Sequence, residues 1–417
     1  MLYSQSSQTQ SLDDDVVRQV LSSAFTALTH DTKRILVIIP DGTRTAPIPL
    51  LFRLLYEQLG SRVERLDYLI ALGTHQPMSD AAIAHLVGVD SEERARNYPK
   101  VHIYNHHWAD PAALRTIGII SPQEASRLTD GLLSTEVPVT LNRMIFDYDQ
   151  LIICGPVFPH EVAGFSGGAK YLFPGIAGAD IINFSHWLGA RMTSMATIGV
   201  KDTYVRRVIH RAAQFVTQPL LCIALVVQGT ALHGIYVGDI VEAFEHAAEL
   251  SGQLNIVHYP RPFQRVLSRA SEKYDDLWTA AKAMYKTEPV VADGGEVIIY
   301  APHISEVSYT HGALIDQVGY HVRDYFLKQW PRFQQVPGSI LAHSTHVKGS
   351  GTYDAESGRE TPRIRVTLAT SIPEERCRRI NLGYTDYHQL HPSEWEGKEA
   401  EGILYVPNAG EVLYRLS

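Results

Sequence analysis

Lys170 closes a glycine-rich run, GFSGGAK (164–170), with one histidine upstream, His160, and another downstream, His186. The apolar run QLIICGPVF leads into it. A lysine amine can serve as nucleophile or attachment point, and an imidazole can carry a proton or bind a metal. The run is not a Walker-type phosphate loop, because Ala169 precedes the lysine and Tyr171 follows it, where glycine and Ser or Thr are required. Gly164, Gly167 and Gly168 allow close approach of backbone to a ligand, which an ordinary solvent-facing lysine would not need.

Other candidates stand where apolar runs end. DGTRTAP (41–47) follows RILVIIP, and its Arg44 can grip a carboxylate or phosphate through two parallel hydrogen bonds. The plainer alternative has Asp41 capping the next helix beside a surface arginine. GTHQP carries His75 and NHHWAD carries His106 and His107; each alone could equally be a packing or surface histidine. LWTAAKA (277–283) sets Trp278 and Lys282 one helical turn apart, with Thr279 beside them. A buried tryptophan and a snorkelling lysine would give the same pattern. THVKGSGTYD offers a second glycine-rich loop with His346 and Lys348.

The elements that must position these residues read as alternating strands and helices. The spacing predicts a helix over 13–30, a buried strand at 34–40 and a helix from PLLFRLLYEQLG. The alternation repeats through LDYLIALGTHQP, VHIYNHHWAD, QLIICGPVFPH, LLCIALVV and the helix after Asp239. In open α/β sheets ligands bind at the carboxyl ends of strands, where these loops lie. The proline-bearing segment 255–263 marks a boundary, giving a first domain over 1–258 and a second over 262–400. The second set comprises RVLSRAS, a helix through YDDLWTAAKAMYKTE, and strands at GGEVIIYAP, SILAHSTH and IRVTLATS. The tail, 402–417, reads as a strand pair that returns to the first domain. The expected fold is α/β: two α/β domains with Rossmann-like parallel sheets and the active site in the cleft between them.

At 417 residues, with 45% hydrophobic and 20% charged residues, the composition is that of an ordinary globular protein of two domains. A net charge of −8 without a basic cluster argues against nucleic acid or anionic membrane as a partner. The polar, acidic N-terminus does not read as a secretory signal, no apolar run has transmembrane length, and the three dispersed cysteines form no CxxC. A cytoplasmic setting is expected.

The pattern P-H-x-x-x-G-F-S-G-G-x-K, followed by P-G and then His186, resembles the nickel-dependent lactate racemase family, and the likeness runs along nearly the whole chain. The resemblance implies that Lys170 carries a nickel-pincer nucleotide (pyridinium-3-thioamide-5-thiocarboxylic acid mononucleotide), that His186 ligates nickel, and that His160 is an acid/base. It further implies His106 as the second acid/base, with His107 the competitor by register; His75 is expected to orient or support the site rather than do chemistry. Asp41, Thr43, Gly167 and Gly168 fall in its cofactor-binding motifs, and Arg44, Lys282, Trp278 and Thr279 at substrate-binding positions. Where the family has a tyrosine and a glutamine this chain has Trp278 and Thr279, so lactate is not expected to be its best substrate. The implied reaction is inversion of C2 in a small 2-hydroxy acid by hydride transfer to and from the tethered cofactor; cofactor-building proteins would be transient partners. The residues alone leave open a dehydrogenase, a metal-dependent hydrolase built on His75, His106 and His160, and a non-catalytic cofactor-binding protein. No G-x-G-x-x-G opens any strand–helix unit, which argues against a diffusible nicotinamide.

Overall fold

The computed structural model describes residues 1–28 and 31–417. Its chain is mixed α/β and divides into two compact units. The first comprises 1–158, 165–182 and 206–254; the second comprises 159–164, 183–205 and 255–417. The helix expected over 13–30 forms as Asp14–Phe25, capped by the Asp13 carboxylate accepting from the Val16 N–H; Thr29 and His30 lie outside the described residues.

The first unit holds a seven-stranded sheet in the order Tyr3–Ser6, Ala231–Gly238, Leu220–Gln228, Gln150–Pro156, Arg34–Ile39, Arg65–Ile70, Ile103–Asn105. The last five strands are parallel and the first two antiparallel additions. Arg34–Ile39 is buried at every position after the arginine, which explains its unbroken apolar sequence. Each such side chain contributes about 1.5–3 kcal/mol on burial. The chain runs outward from this strand through Arg65–Ile70 to Ile103–Asn105, then returns to its other side at Gln150–Pro156. The order therefore reverses between Arg34–Ile39 and Gln150–Pro156, and loops leaving those two carboxyl ends flank a crevice. They are the loops of Asp41–Arg44 and of Lys170.

The second unit repeats the principle with five parallel strands, ordered Gly383–Tyr384, Arg365–Thr370, Val291–Ala301, Phe263–Ala270, Ile403–Ala409. Its reversal lies between Phe263–Ala270 and Ile403–Ala409, and the segment after the first of these leads to Trp278 and Lys282.

Two expected elements differ. SILAHSTH is not a strand but part of a helix, Gly338–Lys348, buried from Ser339 through Val347. Pro337 opens it and Gly349, at φ 82°, ends it, its N–H bonding the Thr345 carbonyl. A helix buried all round shows no amphipathic period, so its sequence gives no helical signal. The tail stays in the second unit: Ile403–Ala409 pairs with Phe263–Ala270 and Leu413–Leu416 with Ile256–Tyr259, both in parallel. The two tail strands thus enter separate sheets and do not pair with each other. Cys154, Cys222 and Cys377 are free and buried. Among the described residues no helix is long and apolar enough to cross a membrane.

Candidate active site

In the first unit the Asp41 carboxylate organises the loop after Arg34–Ile39. Its Oδ1 accepts from the Thr43 N–H (3.0 Å) and hydroxyl (2.6 Å), and its Oδ2 meets His75 Nδ1 at 2.5 Å. Burial acts to raise the Asp41 pKa, but His75, Arg44 and Thr43 outweigh it and hold the carboxyl well below the usual range. An ionised Asp41 fixes the proton of His75 on Nδ1 and leaves Nε2 for other work, the arrangement of a positioned base and its orienting carboxylate. Arg44 donates to the Thr43 hydroxyl at 3.2 Å and is half-buried. Asp41 and Thr43, expected to bind cofactor directly, therefore have these polar atoms engaged in shaping the loop and aligning His75.

Lys170 sits half-buried on a short 3-10 turn, Gly168–Tyr171, and its N–H bonds the Gly167 carbonyl at 3.2 Å. The two loops are neighbours: the buried phenol of Tyr171, beside Lys170, feels the charges of Arg44 and Asp41, and the Gly73 N–H bonds the Gly175 carbonyl at 2.9 Å. The glycines have a packing explanation that the sequence does not display. Gly164, Gly167 and Gly168 lie at φ 81°, 89° and 57°, and a Cβ at Gly164 would fall 1.8 Å from the Val200 carbonyl oxygen. One at Gly167 would lie 2.4 Å from Val157 Cγ2. The loop's own shape thus requires them. Arg206, unnoticed in the sequence, is buried beneath this loop, donating to the Gly167 and Phe165 carbonyls with its guanidinium over Phe244. Burial pushes its pKa down to about 9.

His106 is placed differently from the expectation. It is 1% exposed, its Nε2 donates to the Ala177 carbonyl at 2.9 Å, and its Nδ1 accepts from the Asn142 amide at 3.2 Å. Both ring nitrogens are committed to the interior, so neither is presented to a substrate; His107 is exposed. Burial, opposed by the Ala177 bond and aided by His107, pushes the His106 pKa down to about 4. The unfolded chain, with histidine near pH 6.5, binds the proton first as pH falls. The contribution of His106 to stability is therefore intact above about pH 6.5 and is lost as pH falls toward 4, roughly 3 kcal/mol across the window. His106→Asn should be less stable than the parent at pH 7 but lose less on acidification. Urea unfolding at pH 7 and pH 5 checks this, and equal acid losses in both proteins would contradict it.

In the second unit His160 is 6% exposed, and its Nδ1 accepts the Val162 N–H at 3.1 Å, which places the neutral ring's proton on Nε2. Glu161 Oε2 lies 3.5 Å from the same Nδ1. Burial acts to raise the Glu161 pKa, but His346, Lys282 and Lys286 hold it low. Lys282 is 6% exposed, donates to the Thr279 carbonyl at 3.2 Å and stands over the Tyr274 ring at 4.6 Å. The Thr279 hydroxyl donates to Asp276 Oδ1 at 2.8 Å, and the same carboxylate caps the helix by accepting from the Thr279 N–H at 3.0 Å. Trp278 stacks on His343 (centroids 4.1 Å) and packs against His311 (4.5 Å). Burial first, then His346, His311, Lys282 and His186, drive the His343 pKa well down, so His186 belongs to this same cluster. Glu161, His343 and His346 were not identified in the sequence as a group; nothing in spacing joins residues 161, 343 and 346.

The side chains present fit a lysine-attached mononucleotide with a metal. In the first unit Lys170 offers a partly accessible amine on a loop neighbouring that of Arg44, and in the second unit His186 offers one imidazole. Among the described residues no three His, Cys, Asp or Glu side chains converge to hold a metal. His106, with both ring nitrogens bonded within the protein, does not fit the three-histidine hydrolase site.

The sequence profile of the lactate racemase N-terminal domain matches residues 2–199. The lactate racemase of Thermoanaerobacterium thermosaccharolyticum is 22% identical over 300 residues, covering 69% of this chain and 66% of its own length. That of Lactiplantibacillus plantarum is 22% identical over 299 residues, covering 71% and 66%. The chain thus spans 66% of the length of the curated relatives it matches. A crystal structure of a Thermotoga maritima protein is 32% identical with a TM-score of 0.91, covering 99% of this chain and all of that one. The lactate racemase apoprotein from T. thermosaccharolyticum shares the fold at 18% identity and a TM-score of 0.71, covering 100% of this chain and 94% of that one. Residues 2–199 thus match the lactate racemase N-terminal domain, and the chain is similar in sequence to two lactate racemases and in fold to the apoprotein of one of them.

Proposed function

We propose that the protein is a racemase or epimerase that inverts C2 of a 2-hydroxy acid, using a nickel-pincer nucleotide attached to Lys170. The observation that carries the reading is the loop of Lys170 set against the Asp41–His75 pair and Arg44, at the strand reversal of a lactate racemase-like fold. The α-hydrogen of a hydroxy carboxylate is barely acidic, so inversion by simple deprotonation is slow. When bound, the nucleotide would supply a resident acceptor and donor of hydride.

The chain's own residues do the rest. His75, oriented by Asp41, takes or returns the hydroxyl proton at Nε2 for one enantiomer. His160 is the proton carrier for the other, which moves the second proton carrier from His106 to His75. Arg44 and Lys282 hold the carboxylate while C2 turns between faces. His186 is the protein ligand to nickel. The substrate is a small molecule, cofactor-building proteins are transient partners, and the setting is cytoplasmic.

The test is to produce the protein with and without cofactor-building proteins, map the peptide bearing Lys170 by mass, and follow optical purity of enantiopure 2-hydroxy acids. An adduct on Lys170, nickel lost in His186→Ala, and racemisation only by loaded protein are expected. Active protein with an unmodified Lys170 would sink the reading.

A further inference from the structure

His346 is 3% exposed, yet among the described residues neither of its ring nitrogens has a hydrogen-bond partner. Leaving a buried polar group unpaired costs about 1–3 kcal/mol, so such a group signals a missing partner. It sits on the buried helix Gly338–Lys348, one turn beyond His343 and so on the same face, with its ring edge toward Tyr285. Burial pushes its pKa down to about 4, opposed by Glu161, so near neutral pH it has one N–H to give and one nitrogen to accept. Glu161 stays ionised close by and can only accept. Together they border the Lys282 and His160 already assigned to the site.

We propose that Glu161 and His346 form the subsite for the substrate's side chain, and that the substrate is a 2-hydroxy monocarboxylate carrying a further hydroxyl there. A hydroxyl accepts from the His346 N–H and donates to the Glu161 carboxylate, pairing one donor and one acceptor at once. An alkyl group leaves the imidazole unpaired. A second carboxylate meets the charge of Glu161, and an ammonium meets Lys282 and Lys286. Trp278, stacked on His343, contributes an aromatic wall. The inference rests on the racemase reading in taking a 2-hydroxy acid as substrate.

Glycerate, lactate and malate differ only at C3, which carries a hydroxyl, a hydrogen and a carboxylate in turn, and so separate these cases. Calorimetric binding to the full chain, alongside racemisation by loaded protein, gives two readouts. Glycerate should bind at least about tenfold more tightly than lactate or malate, the discrimination of one well-placed hydrogen bond. His346→Phe and Glu161→Gln, each checked for folding by circular dichroism, should each shrink the glycerate-to-lactate ratio by about tenfold, and Glu161→Gln should also relax the rejection of malate. Lactate or malate binding as well as glycerate, no glycerate binding at all, or an unchanged ratio in whichever variants fold would overturn the subsite. If glycerate is preferred but no acid is racemised and Lys170 carries no adduct, the racemase reading fails while the subsite stands. If racemisation occurs without preference for the hydroxylated acid, the reverse holds.

Discussion

Lys170→Arg should abolish racemisation and leave the protein without a covalent adduct, while folding and thermal stability change little. Attachment requires an amine that can lose a proton and become a stable amide-type nitrogen; a guanidinium stays charged at any accessible pH. The charge at the loop is kept, so a purely electrostatic lysine would survive the exchange with a modest loss. Lys170 is half-buried on a turn whose shape is held by glycines and by Arg206, so the loop should persist. Intact mass and loss of optical purity are the two measurements. A Lys170→Arg variant that racemises within about tenfold of the parent would remove the tethered cofactor from the mechanism, since a guanidinium cannot form the adduct.

The second large effect concerns the proton carriers. His75→Ala and His160→Ala should each lower racemisation by about 10²–10⁴-fold in both directions, because inversion needs both proton transfers. In single-turnover mixing each variant should still convert one enantiomer to the keto acid, with opposite preference, since the remaining histidine serves one face. His107→Ala should leave near-normal turnover. Asp41→Asn separates orientation from chemistry: the amide can no longer hold the His75 tautomer, so it should resemble His75→Ala in its one-sidedness. If His106→Asn, assayed where it is folded, shows the one-sided behaviour and His75→Ala does not, the proton carrier returns to His106.

The alternation of strands and helices was legible because parallel strands buried on both faces read as unbroken apolar runs, as RILVIIP does. The glycine loop and Arg44 were legible because they sit at the ends of such runs. SILAHSTH escaped recognition because a helix buried on every side has no period to detect. The choice between His75 and His106 could not be read from neighbours in the chain. Both follow strands, and what separates them is Asp41 for one, against Ala177 and Asn142 for the other. Glu161 and His346 lie on separate segments that meet only in the folded second unit, and Thr279 looked like a substrate contact because its bond to Asp276 is invisible in sequence.

The left-handed glycines of the Lys170 loop carry a consequence for how the cofactor arrives. Val157, Val200 and Phe244 leave no room for a side chain at those positions, and Arg206 ties down two of the carbonyls from below. The amine is therefore displayed on a preorganised platform before anything is attached, and loading need not be coupled to folding of the loop. A loading protein would recognise a finished surface rather than a stretch of linear sequence, and the same seven residues in a free peptide, where glycine samples many conformations, would make a poor acceptor.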